Sequence, residues 1–120
     1  MESELAVKRL SALAQTGRLE VFRRLVRAGP EGLAAGDIAR AEGVPANTLS
    51  AQLTILANAG LVASRRAGRS IIYVAEYANM SALLLHLMED CCQGRPEVCA
   101  PLAEAFTRAA CCHQPQGAPS

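Results

Sequence analysis

Cysteine thiols are the most reactive side chains in this sequence of 120 residues, and all five lie after residue 90. They are Cys91, Cys92, Cys99, Cys111 and Cys112. The amino-terminal segment lacks a signal-peptide pattern and no apolar run is long enough to cross a bilayer, so we expect a cytoplasmic protein that does not enter membranes. A disulfide framework is then the weaker interpretation, and a metal site or a redox site is more typical. A structural role as small apolar residues of a helix is the remaining alternative.

Arginine side chains form a second group with chemical potential. The net charge is only +1, which excludes a protein that coats nucleic acid without discrimination. Residues 43–75 nevertheless contain Arg65, Arg66 and Arg69 and no acidic side chain. Acidic residues outnumber basic ones from Glu89 onward. A positive middle segment of this kind favours contact with phosphate.

The hydrophobic pattern predicts a mainly α-helical fold with a small β-hairpin. The composition, 51% hydrophobic and 3% aromatic, favours closely packed helices. We predict helices over 4–15, 18–28, 36–42, 46–58 and 77–90, strands over 61–66 and 70–75, and a further helix over 98–110. This order predicts a winged helix-turn-helix domain over 1–90, followed by a Cys-rich segment over 91–112 and a disordered tail over 113–120.

The helix over 46–58 is the predicted DNA-reading element. Its apolar residues Leu49, Leu53 and Leu56 recur with helical spacing, and Gly60 provides its stop. Its other face carries amide and hydroxyl side chains that can bond base edges in a major groove: Asn47, Thr48, Ser50, Gln52 and Thr54. Arg65, Arg66 and Arg69 of the hairpin suit phosphates or a minor groove. Each group alone could be a solvated surface, but together they favour DNA binding.

Two apolar stripes, on the first helix and on the helix over 77–90, predict a homodimer. One unit contacts only a few base pairs, whereas a dimer doubles the contacts. The residues that we expect at the interface are Leu5, Leu10, Leu13, Met80, Leu84 and Leu87. Packing of these side chains within one chain is the alternative.

The segment over 49–75 resembles the recognition helix and wing of the ArsR/SmtB family of metal-responsive repressors. Ser50-Ala51-Gln52-Leu53 stands where the family usually has Ser-x-His-Leu, and Ala59-Gly60-Leu61-Val62 matches its turn into the wing. Arg18 occupies the family's Arg position, although Gln15-Thr16-Gly17 replaces the usual Asp-Pro-containing turn. The resemblance implies a homodimer that binds an operator when ligand-free and releases it when an inducer binds.

The same resemblance implies which inducer sites are present. The arsenic site on the first helix of the helix-turn-helix is absent, because 32–42 contains no cysteine. The zinc site of the last helix would need more than His86, which we interpret as a core or interface residue. Cys91, Cys92 and Cys99 resemble the carboxy-terminal site of the arsenite-responsive branch of the family.

Thiolate chemistry supports trivalent arsenic or antimony as the inducer, with no cofactor in the DNA-bound form. Soft ions select soft sulfur, and three thiolates without a fourth ligand suit a pyramidal metalloid better than tetrahedral zinc. Cys111 and Cys112 could form a second thiol pair, with or without His113, or be incidental. A thiol redox or persulfide sensor, and a sensor of cadmium, lead or zinc, remain alternatives.

Enzyme function is not expected from the sequence. It contains no phosphate-cradling Gly loop, no His-Glu-x-x-His and no Gly-x-Ser-x-Gly. A metalloid carrier or reductase is the outside alternative, but it would not need a reading helix or a wing.

Overall fold

The computed structural model describes residues 1–88. The elements are α1 (Ser3–Leu13), α2 (Thr16–Ala28), β1 (Leu33–Ala34), α3 (Ala35–Glu42), α4 (Ala46–Asn58), β2 (Val62–Ala67), β3 (Ser70–Ala75) and α5 (Tyr77–Met88). A first compact unit spans Met1–Leu83, and a second unit begins at Leu84. The domain boundary at residue 90 stays a prediction. The predicted helix over 98–110, the Cys-rich segment and the tail lie outside the described residues. No helix within residues 1–88 is long and apolar enough to span a bilayer.

The helix-turn-helix consists of α3 and α4, as predicted. Asp37 lies in the first turn of α3, where a carboxylate stabilises the positive end of the helix. Gly43 ends α3 in a left-handed conformation (φ +69°), and the Val44 N–H donates to the Ala39 carbonyl. This turn redirects the chain into α4, which begins after Pro45.

The wing is a three-stranded antiparallel sheet in the order β1-β3-β2. Gly68 and Arg69 connect β2 to β3, and Gly68 has the positive φ (+64°) that a tight hairpin turn requires. Strands β2 and β3 confirm the predicted hairpin, and β1 adds a third strand that was not predicted. It contains only Leu33 and Ala34, paired with Tyr73 and Ile72, and a strand of two residues has too little periodicity to be read from sequence.

The core lies between α2, α3, α4 and the base of the wing. Its fully buried side chains include Leu25, Ile38, Leu56 and Leu61. On α2 the buried residues are Val21, Phe22 and Leu25, whereas Leu19 is exposed. On α1 the buried residues are Ala6, Arg9 and Ala12 rather than the leucines. The small side chains of Ala6 and Ala12 allow α1 to pack closely against its neighbours.

Shortening Leu56 to alanine tests the assignment of the core. Leu56 is 0% exposed, so we expect Leu56→Ala to lower the free energy of unfolding by about 2–5 kcal/mol. Its neighbour Ile55 is 41% exposed, and Ile55→Ala should cost under about 1 kcal/mol. Urea unfolding followed by circular dichroism measures both changes. Equal losses for the two variants would contradict this packing of α4.

Candidate nucleic-acid interface

The solvent face of α4 presents most of the side chains predicted to read DNA. Asn47, Thr48, Ser50 and Thr54 are exposed, because the leucines of the opposite face are turned into the core. The Asn47 Oδ1 accepts a hydrogen bond of 2.9 Å from the Thr48 N–H. The Thr54 hydroxyl donates to the Ser50 carbonyl at 2.9 Å. These local bonds hold the side chains against the helix and leave polar atoms available at its outer surface.

Gln52 differs from the other predicted reading residues. Its side chain is half-buried and extends toward the start of α2, where a Cβ placed on Gly17 would lie 2.5 Å from the Gln52 Nε2. The Gln52 Oε1 is buried and has no hydrogen-bond partner within residues 1–88. Gln52 therefore lies against the α1–α2 junction, and a base contact by this residue stays a prediction.

The three wing arginines are all exposed, but they differ in orientation and in hydrogen bonding. Arg65 and Arg66 are consecutive in β2, so their side chains point to opposite faces of the sheet. The Arg65 Nη2 donates to the Glu31 carbonyl at 3.0 Å, which ties this guanidinium to the loop before β1. Arg66 and Arg69 form no hydrogen bond or ion pair within the described part of the chain. Of the three wing arginines, Arg66 and Arg69 are therefore more available to a phosphate than Arg65.

A cavity of about 200 Å³ lies between α4 and the wing. Ser50 of α4, Gly36 of α3 and Ile71 of β3 contribute to its walls. The reading face of α4 and the wing therefore border the same depression. A ligand that lies along α4 can reach both elements.

Lys8 and Arg18 form a further basic group, which the sequence pattern did not mark as part of a site. Together with Ile55 and Asn58 of α4 they line a cavity of about 450 Å³. The Arg18 Nε donates to the Ala12 carbonyl at 2.7 Å, so this guanidinium closes the end of α1. A basic residue just after a helix end is a sequence signal for such capping.

The predicted dimer residues fall into two groups. Leu5 and Leu10 of α1 are exposed, as are Leu84 and Leu87 in the second unit. Leu13 and Met80 are half-buried and pack against the core of their own chain. Leu13 and Met80 thus contribute to packing within the chain, whereas the exposed leucines have apolar surface available to a partner. A dimer contact by any of the six residues stays a prediction.

The predicted inducer site falls beyond the part of the chain that the structure describes. Cys91, Cys92, Cys99, Cys111 and Cys112 lie outside the described residues. Among residues 1–88, no group of three His, Cys, Asp or Glu side chains is placed to hold one metal ion.

Comparison with known proteins identifies relatives of the helix-turn-helix. A family model described as a helix-turn-helix domain matches residues 13–65. The HTH-type transcriptional regulator NmtR of Mycobacterium tuberculosis is 43% identical over 75 residues, which are 62% of this chain and 60% of NmtR. The chain thus matches less than two thirds of the length of this relative.

Solved structures extend the likeness to the whole winged domain. The homodimeric winged helix-turn-helix DNA-binding domain of Mb0332 from Mycobacterium bovis, a candidate ArsR-family transcriptional regulator, is 30% identical with a TM-score of 0.58. The alignment covers 72% of this chain and 81% of that domain. NolR of Sinorhizobium fredii is 31% identical with a TM-score of 0.58, over 72% of this chain and 84% of NolR.

Removing the charge of Arg66 tests the wing as a phosphate-binding element. We expect Arg66→Met to weaken binding to every duplex by a similar factor, because phosphate contacts carry no sequence information. The slope of log K against log salt should become less negative by about 0.9 for each phosphate that the variant no longer neutralises. Arg23→Met removes the same charge from an exposed position on α2 and should leave the slope unchanged. Fluorescence anisotropy at several salt concentrations gives both slopes, and an unchanged slope for Arg66→Met would exclude this role.

Proposed function

The chain belongs to the ArsR family of winged helix-turn-helix transcriptional regulators, and we propose that it represses transcription as a homodimer bound to operator DNA. The observation that carries this proposal is the solvent face of α4. Amide and hydroxyl side chains are exposed there, the exposed cations Arg66 and Arg69 lie on the neighbouring wing, and no carboxylate occurs in residues 43–75. These elements therefore offer DNA hydrogen-bonding groups and positive charge, and they carry no negative side chain that would repel its phosphates.

The mode of binding follows from the dimensions of DNA. A major groove about 12 Å wide admits one α-helix, so α4 enters it with its amino-terminal half, which carries Asn47, Thr48 and Ser50. The wing then meets the sugar-phosphate backbone beside that groove. The amide of Asn47 suits adenine, and the hydroxyls are permissive contacts. Phosphate contacts fix the register, whereas the base contacts discriminate between sequences.

Dimerisation is supported by the apolar side chains that a single chain leaves exposed. Leu5 and Leu10 are about 40% exposed on α1, and Leu84, Leu85 and Leu87 are exposed at the end of α5. Apolar surface of this kind typically marks an interaction site. The similar domain of Mb0332 is homodimeric. A symmetric pair doubles the number of base and phosphate contacts, which raises both affinity and selectivity.

Trivalent arsenic or antimony is the inducer that we propose for this repressor. The support is chemical: Cys91 and Cys92 are adjacent and supply two soft ligands, and Gly94 and Pro96 allow the chain to bend so that Cys99 supplies the third. Binding replaces thiol protons by the metalloid, so it costs more at low pH. Gathering three thiolates beyond α5 would shift that helix against its partner and move the two α4 helices out of register with the grooves.

Selection of DNA from a random pool tests the proposed repressor function. The full chain should enrich a duplex that it binds about 1,000-fold or more tightly than a scrambled one. Asn47→Ala should then reduce this preference by a factor equivalent to about 1–3 kcal/mol, because alanine cannot form the amide hydrogen bonds to a base. Asn58→Ala, at the opposite end of α4, is the matched control and should have little effect. If the wild-type chain enriches no sequence, the repressor function is wrong.

Serine substitutions test the proposed inducer site. Arsenite should lower operator affinity of the wild-type chain by a factor equivalent to about 1–3 kcal/mol. Cys91→Ser, Cys92→Ser and Cys99→Ser should each abolish most of this response, because a two-sulfur site binds the metalloid weakly. The Cys111→Ser/Cys112→Ser double variant shows whether the second pair takes part. Parallel titrations with cadmium, zinc and peroxide test the other inducers, and an arsenite response that survives all three single substitutions would contradict the assignment.

A further inference from the structure

The carboxy-terminal end of α4 is bound by side chains from two other helices. The Arg9 Nε of α1 donates to the Ala59 carbonyl at 2.8 Å. The Asn79 Nδ2 of α5 donates to the next carbonyl, that of Gly60, also at 2.8 Å. Helices α1 and α5 carry the exposed leucines through which we expect the chain to dimerise. The end of α4 is therefore bonded directly to both of these helices.

The environment of Arg9 makes its bond to α4 directional and hard to replace. Arg9 is only 7% exposed, although arginine is almost never buried without a partner. Within residues 1–88 no carboxylate forms an ion pair with it. Its partner is instead the end of α4, where unpaired carbonyls give the helix a partial negative charge. A hydrogen bond from a charged donor is stronger than one between neutral groups and fixes the distance between the two helices.

Gly60 allows the two donors to converge. A Cβ at this position would lie 3.0 Å from the Arg9 Nη2 and 3.3 Å from the Asn79 Nδ2. The glycine also adopts a left-handed conformation (φ +78°), which side chains disfavour. The space that Gly60 leaves open is thus occupied by the ends of Arg9 and Asn79.

These two side chains are not needed to end α4. The Gly60 N–H already donates to the Ala57 carbonyl, and the Leu61 N–H donates to the Leu56 carbonyl. These backbone bonds close the helix by themselves. Arg9 and Asn79 therefore have a second effect, which is to fix where the end of α4 lies relative to α1 and α5.

We infer that Arg9 and Asn79 are positioning residues for DNA recognition, which transmit the placement of the dimer helices to α4. This inference rests on the proposed function. The inward leucines of α4 are apolar and hold it without strong directionality, whereas hydrogen bonds to two consecutive carbonyls fix its axial position. A displacement of α1 or α5 at the dimer interface then moves α4 as well. Without the two bonds, α4 remains folded but loses its fixed placement.

The test compares Arg9→Met, Asn79→Ala and the double variant with the wild-type chain on two duplexes. One duplex is the sequence enriched by the wild-type chain, and the other is its scrambled version. Because α4 would be misplaced, the double variant should lose about tenfold or more in affinity for the enriched duplex. Affinity for the scrambled duplex should change less than about twofold, because non-specific binding depends on phosphate contacts. The salt slope should stay at the wild-type value, since Arg9 is buried and contacts no phosphate.

Controls separate positioning from effects of charge and stability. Arg27→Met removes an exposed charge at the end of α2, and Ser81→Ala alters an exposed side chain of α5; both should bind like the wild type. Sedimentation velocity and circular dichroism confirm that each variant is dimeric and folded at the assay temperature. If the double variant is unfolded, the single Asn79→Ala variant tests the inference instead. It should reduce the preference for the enriched duplex over the scrambled one by at least about threefold.

Three outcomes overturn the inference. The first is a folded, dimeric double variant, or a folded Asn79→Ala variant, that keeps the wild-type preference. The second is an equal loss on both duplexes with a smaller salt slope, which would make Arg9 a phosphate-binding residue. The third is a wild-type chain that enriches no duplex, which overturns the proposed function and this inference together. The first two outcomes leave the proposed function intact.

Discussion

Burial of one face of α4 is the constraint on which the rest of the structure depends. Leu49, Leu53 and Leu56 recur at helical spacing and are almost completely buried. A helix that fixes these residues inward must present its intervening positions outward. The outer positions carry amides and hydroxyls, so the packing of the core determines which groups are offered to DNA. The wing extends the same surface, because Ser50 and Ile71 border one cavity.

The ends of the helices are linked by arginine side chains. Arg9 bonds to the end of α4, and Arg18 bonds to the end of α1. In both cases a guanidinium meets carbonyl oxygens that the helix itself leaves without partners. The Arg24 Nε lies 2.6 Å from the Glu42 Oε2 and joins α2 to the last residue of α3. Directional polar contacts thus supplement an apolar core and define the relative placement of the helices.

Helices with a strong apolar period were predictable from sequence. The bounds of α4 and its inward leucines agree with the prediction, because three leucines and two flanking glycine turns define them together. Packing on α1 was not predictable, because its buried face is formed by Ala6, Ala12 and a buried Arg9. From sequence alone, Arg9 is expected to be exposed to solvent, because its partner is a backbone carbonyl 50 residues away in sequence. Gln52 is a similar case, since its neighbour Gly17 lies in another helix.

Hydroxyl-radical footprinting of the selected duplex tests the central claim most directly. If a symmetric pair of chains places one α4 in each of two successive major grooves, the backbone should be protected in two patches. Their centres should lie about 10–10.5 base pairs apart, on one face of the DNA. A single patch, or two patches at another spacing, would contradict a dimer that recognises DNA through paired α4 helices.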